Sequence, residues 1–267
     1  MENQQPSNLK LHKGGNTVMA INILDRYGIK EVCDFTFYRI EKGGEVGAPV
    51  LYLDTLKVST SEQTADNTSA RGGKGNPELI TWDFGKEINV TLEDALFSAK
   101  SMAIMYGSVT ADGEADIDTT KAKITRTVPK ANVIDAQENT CKVEIRGAKY
   151  SLTNVKYYDA NGATASHTEY AYAVGEMPVN ESATIEISPE TFPGTYYCTG
   201  DTYARREDNG EDEFFQLIIP KAKVLSDNTL TMEAEGDPST FSMNLKVLRP
   251  ASGPMMKLVK YSLTADV

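Results

Sequence analysis

Acidic side chains are the groups in this sequence with the greatest capacity for chemistry, and they fall into three clusters. Clustered carboxylates can bind a divalent cation, and two carboxylates at a fixed separation can serve a glycosidase as acid and base. The clusters are DGEADID at residues 112–118, REDNGEDE at residues 206–213 and EAEGD at residues 233–237.

The first cluster places an acid at every second position, as a calcium-binding loop does. An EF-hand loop also needs glycine at its sixth position and glutamate at its twelfth, and the twelfth position here is Lys123. We therefore predict a solvated strand face instead of a cation site. The side chains on that face would be Asp112, Glu114, Asp116 and Asp118.

The other two clusters surround turn residues. Asn209-Gly210 in the second and Gly236-Asp237-Pro238 in the third predict hairpin corners between strands. After the third cluster, alternating apolar residues predict one buried strand face. That face consists of Phe241, Met243, Leu245 and Val247.

Other catalytic signatures are lacking in the sequence. The two histidines, His12 and His167, form no H-x-x-x-H pattern, and there is no G-x-S-x-G elbow. Cys33, Cys141 and Cys198 are widely spaced, which predicts reduced thiols. The glycines around Lys74 do not have the phosphate-loop spacing. We predict no catalytic residue, no cofactor and no metal site, and hence a protein that is not an enzyme.

The elements around these clusters predict an all-β sandwich or barrel with one packed α-helix. Around a dozen short runs of alternating apolar and polar residues read as strands. One helix is predicted over residues 92–106, with Thr91 as its N-cap and Gly107 after its last residue. Residues 61–78, polar and rich in small side chains, are predicted to form a long loop.

The net charge of −11 argues against a surface that binds nucleic acid by neutralising phosphates. The amino terminus has no apolar h-region, so we expect synthesis without a secretory signal. Tyrosine doublets leave open a carbohydrate-binding surface, although tyrosines on alternating strand faces more often lie in cores and interfaces. They are Tyr157-Tyr158 and Tyr196-Tyr197, together with Tyr170 and Tyr172.

Three stretches of the sequence together resemble the tail tube (major tail) proteins of tailed bacteriophages. The likeness covers residues 35–110 and 185–261. The stretches are ELITWDFGKEINVT with the following LEDALFSAKSMAIMYG, GEDEFFQLIIPKAKV with NTLTMEAEGDPSTFSMNLKVL, and GPMMKLVKY.

The resemblance implies a structural virion subunit that joins other copies in a hexameric ring. Such rings stack into a tube through which DNA passes without specific binding. The other partners implied are a sheath or terminator protein and a tape measure protein. The implied location is the virion tail, after synthesis in the host bacterial cytoplasm, with no membrane contact.

Two groups of residues would then have roles in assembly and DNA passage. The loop at residues 61–78 would contact the neighbouring ring. Acids on the predicted strand before the corner at residues 236–238 would line the lumen, because they lie on the face opposite the apolar residues of that strand. The expected loop contacts are Ser61, Glu62, Asp66, Arg71, Lys74 and Glu78, and the expected lumen acids are Glu233 and Glu235.

For domain organisation, we expect residues 1–110 and 185–267 to form the tail-tube-like core with its helix. Residues 111–184 would be a β-rich elaboration or a small inserted domain. Two other functions stay open from the sequence: a different virion structural role, such as head decoration or tail completion, and a carbohydrate-binding sandwich.

Overall fold

The computed structural model describes residues 26–228, 230 and 240–261. The described part begins with five strands and a helix: β1 (Tyr27–Ile29), β2 (Asp34–Ile40), β3 (Val46–Leu53), β4 (Leu56–Arg71), β5 (Glu78–Asp94) and α1 (Ala99–Tyr106). The middle strands are β6 (Ile124–Pro129), β7 (Val133–Ala136), β8 (Thr140–Ile145), β9 (Ala148–Tyr158) and β10 (Tyr172–Met177). The last four are β11 (Thr195–Arg206), β12 (Asp212–Val224), β13 (Phe241–Val247) and β14 (Lys257–Tyr261).

Within the described ranges, nine strands form the main sheet, in the order β3-β2-β11-β12-β13-β5-β4, with β1 beside β11 and β14 beside β12. Neighbouring strands are antiparallel throughout. One buried cluster joins Phe37 of β2, Leu245 of β13 and Val90 of β5. The sheet therefore folds over and shares one core between its halves, which confirms the predicted all-β sandwich.

The apolar row of β13 is buried as predicted. Phe241, Met243, Leu245 and Val247 alternate with less buried residues along the strand. They pack in the interior of the main sheet because β13 lies between β12 and β5. The predicted corner at residues 236–238 lies outside the described residues.

The helix prediction was wrong at its start and right at its end. Residues 92–94 belong to β5, since Phe241 of β13 pairs with Asp94 and extends the ladder past Thr91. The actual N-cap is Ser98, whose hydroxyl accepts a hydrogen bond from Ser101 N at 3.0 Å in a capping box. Gly107 ends the helix with φ of 82°.

Strands β6 to β10 form a second antiparallel sheet, in the order β6-β10-β9-β8-β7. Its buried cluster is built around Val143, Leu152 and Tyr157 and shares no buried residue with the core of the main sheet. The chain enters and leaves this region at one point, where Asp118 and Thr184 exchange backbone hydrogen bonds of 3.0 and 2.8 Å.

The cluster at residues 112–118 is not a strand face, contrary to the prediction. It begins in a turn closed by hydrogen bonds between Thr110 and Glu114 and from Gly113 N to Thr110 O. The turn forms because Gly113 adopts a φ of 79° and the buried Tyr196 donates a hydrogen bond to Gly113 O at 2.8 Å. The second cluster does form the predicted hairpin, between β11 and β12, with Gly210 at a φ of 71°.

Candidate functional site

Strands β4 and β5 form a hairpin that continues past the rest of the main sheet. Strand β13 pairs with β5 only from Asp94 to Asn89. Beyond that point, among the described residues, β4 and β5 pair only with each other, out to Arg71 and Glu78. We call residues 64–87, including the turn at residues 72–77, the arm. Its paired part is roughly 25 Å long at the usual rise of a strand.

The arm corrects the prediction of a loop at residues 61–78. Residues 61–71 are strand, and only residues 72–77 form a turn. The polar composition predicts irregular structure because β4 has no apolar alternation beyond Val58. Its order comes instead from the ladder that it forms with β5, whose side chains alternate clearly.

The arm has one apolar face and one polar face. Ile80, Trp82 and Phe84 follow each other on β5 and are 54%, 52% and 55% exposed. Their partners across the ladder are Ala70, Thr68 and Asp66 respectively, so these side chains share the same face. We call this set the apolar arm face.

The polar face is hydrogen-bonded within the arm. Glu78 accepts hydrogen bonds from Ser69 and Thr81 and from Arg71 Nη2 at 3.2 Å. The hydrogen bonds from these two hydroxyls lower the pKa of Glu78 below its ordinary value of 4.5, and the bond from Ser69 has the larger effect. The tip of the arm is thus held by its own side chains.

A bulge at Gly85 determines which way the apolar arm face points. Thr64 pairs with Glu87 and Asp66 with Phe84, so β5 has one residue more than β4 between these pairs. Gly85 takes a φ of 61° there. If β4 matched β5 residue for residue here, strict alternation along β5 would place Phe84 in the buried row of Ile88 and Val90. The bulge moves it to the opposite row.

The six residues predicted to contact a neighbouring ring are spread along this hairpin. Ser61 and Glu62 lie at its base, where the Ser61 hydroxyl lies 3.8 Å from Met256 Sδ. Asp66 lies beside the bulge. Arg71 and Glu78 pair at the tip, with Lys74 in the turn between them. Glu233 and Glu235 lie outside the described residues.

A second unusual surface is the outer face of β2 and β11, where two carboxylates are direct neighbours. Asp34 and Asp201 are paired across the strands. Asp34 accepts a hydrogen bond from Tyr52 at 3.3 Å, and Asp201 accepts one from Gln216 at 2.9 Å. Burial, with the nearby Asp34 charge, raises the pKa of Tyr52. Directly opposed like charges destabilise a sheet, so this pair is unfavourable within the isolated subunit.

Sequence reasoning missed both surfaces. The alternation of LITWDFG predicts a strand, but the pattern does not show that its apolar side chains stay exposed in the single subunit. The Asp34–Asp201 pair depends on strand neighbours 167 positions apart in the chain, which no local pattern reveals.

The aromatic and thiol side chains do not assemble a reactive site in the described residues. Tyr157 and Tyr196 are buried in the two cores, and burial raises the pKa of Tyr157 to about 12. Cys33, Cys141 and Cys198 are free thiols, and burial raises the pKa of Cys198. Within the described ranges, no group of three or more His, Cys, Asp or Glu side chains is placed to hold a metal ion.

These features are those of a subunit with surfaces for other proteins, and a comparison with protein families agrees. The model of the YomU/Tube protein family matches residues 27–260. The chain belongs to the YomU/Tube protein family. This membership confirms the resemblance to phage tail tube proteins, and it makes the chain a phage tube-related structural protein.

The match to the YomU/Tube family spans both sheets, including the strands between residues 124 and 177. A comparison with curated proteins found no match. In the part of the chain that the structure describes, no helix has the length and apolar character needed to cross a membrane.

Proposed function

We propose that this protein is a bacteriophage tail tube subunit that forms hexameric rings, which stack into a tube that conducts DNA during ejection. The proposal combines membership in the YomU/Tube family with the surfaces that a single subunit leaves uncovered. Its role is structural, with no catalytic step.

The observation that carries the proposal is the pair of open edges of the main sheet. Strands β3 and β4 end the order of the sheet, and each has a partner on one side only among the described residues. An open edge presents unpaired N–H and C=O groups that accept another strand. Two different open edges allow each copy to contact a neighbour on either side, and such heterologous contacts form a ring when the rotation between copies closes.

The electrostatics support a conduit for DNA. The net charge is −11, and the outer face of the main sheet carries the Asp34–Asp201 pair. A wall of carboxylates repels phosphates, so DNA would pass without binding. We propose this face, together with Glu233 and Glu235, for the lumen.

The remaining roles follow from the same assembly. The arm, with Asp66, Arg71, Lys74 and Glu78, would contact the adjacent ring. Residues 111–184, which contain the second sheet, would lie on the outside of the tube as an added domain. The end rings would bind a terminator, sheath or tape measure protein in the tail of the virion, after synthesis in the host cytoplasm.

Negative-stain electron microscopy of the purified protein across a range of concentrations tests this function. We expect rings with sixfold symmetry that stack into tubes of uniform width. Monomers at every concentration, even with an initiating tail complex added, would contradict the proposal. Rings that never stack would instead indicate a different virion structural role, such as head decoration or tail completion.

A further inference from the structure

Two Asn-Gly pairs occur in the sequence, Asn161-Gly162 and Asn209-Gly210, and both lie in exposed turns. Asparagine is a thermolabile residue. The amide nitrogen of the following glycine can attack Cγ of the asparagine side chain, since glycine has no side chain that shields its nitrogen. A C–N bond forms, the glycine nitrogen loses its proton, and the side-chain amide leaves as ammonia. Water then opens the resulting succinimide ring to aspartate or isoaspartate.

The turn at Asn161 is held by its backbone and not by the asparagine side chain. Asp159 Oδ1 accepts hydrogen bonds from Asn161 N and from Ala163 N, each at 2.8 Å. Gly162 N donates to Asp159 O at 3.2 Å. Among the described residues, no group forms a hydrogen bond with the side-chain amide of Asn161. This amide can therefore rotate toward Gly162 N without losing a partner.

The side chain of Asn209 is held at both ends by Glu211. Asn209 Nδ2 donates to Glu211 Oε2 at 2.8 Å, and Asn209 Oδ1 accepts a hydrogen bond from Glu211 N at 3.1 Å. Gly210 N donates to Arg206 O at 3.2 Å, as Gly162 N does to Asp159 O. The two glycine nitrogens are thus engaged alike. The difference between the pairs lies in the asparagine side chain, which must give up its bonds to Glu211 before it can react.

We propose that Asn161 is a site of spontaneous deamidation in the folded protein, and that Glu211 protects Asn209 from the same reaction. The inference is independent of the proposed function, because it depends only on contacts within one subunit. Both asparagines are followed by glycine, so the local sequence alone would give both the same reactivity. The fold makes them different.

The reaction at Asn161 changes the turn between β9 and β10. Either product places a negative charge beside the Asp159 carboxylate, and like charges in contact repel. Isoaspartate also adds a methylene group to the backbone, which displaces the N–H groups of residue 161 and Ala163 from Asp159 Oδ1. Deamidation therefore loosens this turn of the second sheet.

Peptide mass spectrometry of the full chain, incubated in mildly alkaline buffer, tests the proposal. We expect the side-chain amide to be lost severalfold faster at residue 161 than at residue 209. In denaturant the two rates should become similar, because only the local sequence then acts. Equal rates in the folded protein, or a faster reaction at Asn209, would overturn the inference without the need for a variant.

Two substitutions in the second turn test the role of Glu211. Glu211→Ala removes the acceptor of Asn209 Nδ2 and should raise the rate at Asn209 severalfold, with no change at Asn161. Glu207→Ala removes an equal charge from the same turn, where Glu207 pairs with Arg26, and should leave both rates unchanged. An unchanged rate at Asn209 in Glu211→Ala, or an equal rise in Glu207→Ala, would overturn the protection by Glu211. Thermal unfolding shows whether each variant is folded.

Amide hydrogen exchange tests the effect on the turn. Exchange of residues 159–165 should rise as residue 161 reacts. The Asn161→Gln variant should keep slow exchange over the same incubation, since its longer side chain cannot form the five-membered ring. Equal exchange in the aged and the fresh parent protein would contradict the loosening of the turn.

Discussion

At the scale of single residues, Glu78 connects the two strands of the arm at their far end. Its carboxylate accepts hydrogen bonds from Ser69 on β4 and from Thr81 on its own strand, and it pairs with Arg71. All of these contacts are exposed, so each contributes little to the stability of the whole protein. Their effect is local, because these contacts join residues near the tip to one another.

We predict that the tip of the arm loosens in acid. The hydroxyl donors lower the pKa of Glu78 from 4.5, so the ionised carboxylate stabilises the tip of the arm fully at any pH above 4.5. It is lost as the pH falls through the lower, folded-state pKa. Amide hydrogen exchange of residues 69–81, corrected for the intrinsic pH dependence, should rise in this window. The Glu78→Gln variant should lack the added pH dependence, and an unchanged profile in that variant would contradict this origin.

At the scale of elements, the sequence predicts strands best where one face is buried. The alternation in β13 and the Asn209-Gly210 turn both correspond to the structure, since local chemistry and burial agree there. Residues 92–94 are amphipathic enough for a helix, but pairing with β13 holds them in β5. Residues 61–71 lack an apolar face, so only their partner strand reveals them as a strand. Long-range pairing is the information that the local pattern does not contain.

We predict that the direction of the apolar arm face, and not the bulge itself, decides assembly. Inserting one threonine between Ala65 and Asp66 lengthens β4 opposite Gly85, removes the bulge and turns the distal faces over. Deleting Gly85 also removes the bulge, but it leaves Phe84 opposite Asp66 on the same face as Glu87. Both variants should fold. The insertion should form no tubes by electron microscopy, whereas the deletion should still form them.

Two other outcomes for these variants would contradict the prediction. Tubes from the insertion variant would show that the arm tolerates either orientation. Failure of the deletion variant alone would show that the bend produced by the bulge is the essential feature. Thermal unfolding of both variants separates either result from a general loss of stability.

At the scale of the whole molecule, the chain enters and leaves the region of the second sheet at one place. Its core is separate, and the chain passes into and out of it through the paired Asp118 and Thr184. Two cores with one junction are the expected arrangement for an added domain. This agrees with the expectation for residues 111–184, which stays a prediction until the parts are separated.

We predict that the main sheet folds and assembles without the second one. Residues 119–183 can be replaced by an Asn-Gly turn, which suits a connection between two antiparallel residues. The shortened subunit should keep a cooperative thermal transition and should form tubes of smaller outer width in electron micrographs. An unfolded product would contradict the separation of the two cores. A folded product that forms no tubes would place the second sheet within the assembly contacts.

The junction at Asp118 and Thr184 also makes the subunit suitable for carrying an inserted guest domain. The α-carbons of an antiparallel pair that exchanges both hydrogen bonds lie about 5.5 Å apart. A guest domain whose own ends are adjacent can therefore be spliced there without stretching either protein. Polymerisation of such a fusion would place copies of the guest domain at a fixed spacing along a filament. The paired backbone of Asp118 and Thr184 would thus provide an insertion site for displaying other proteins on the assembly.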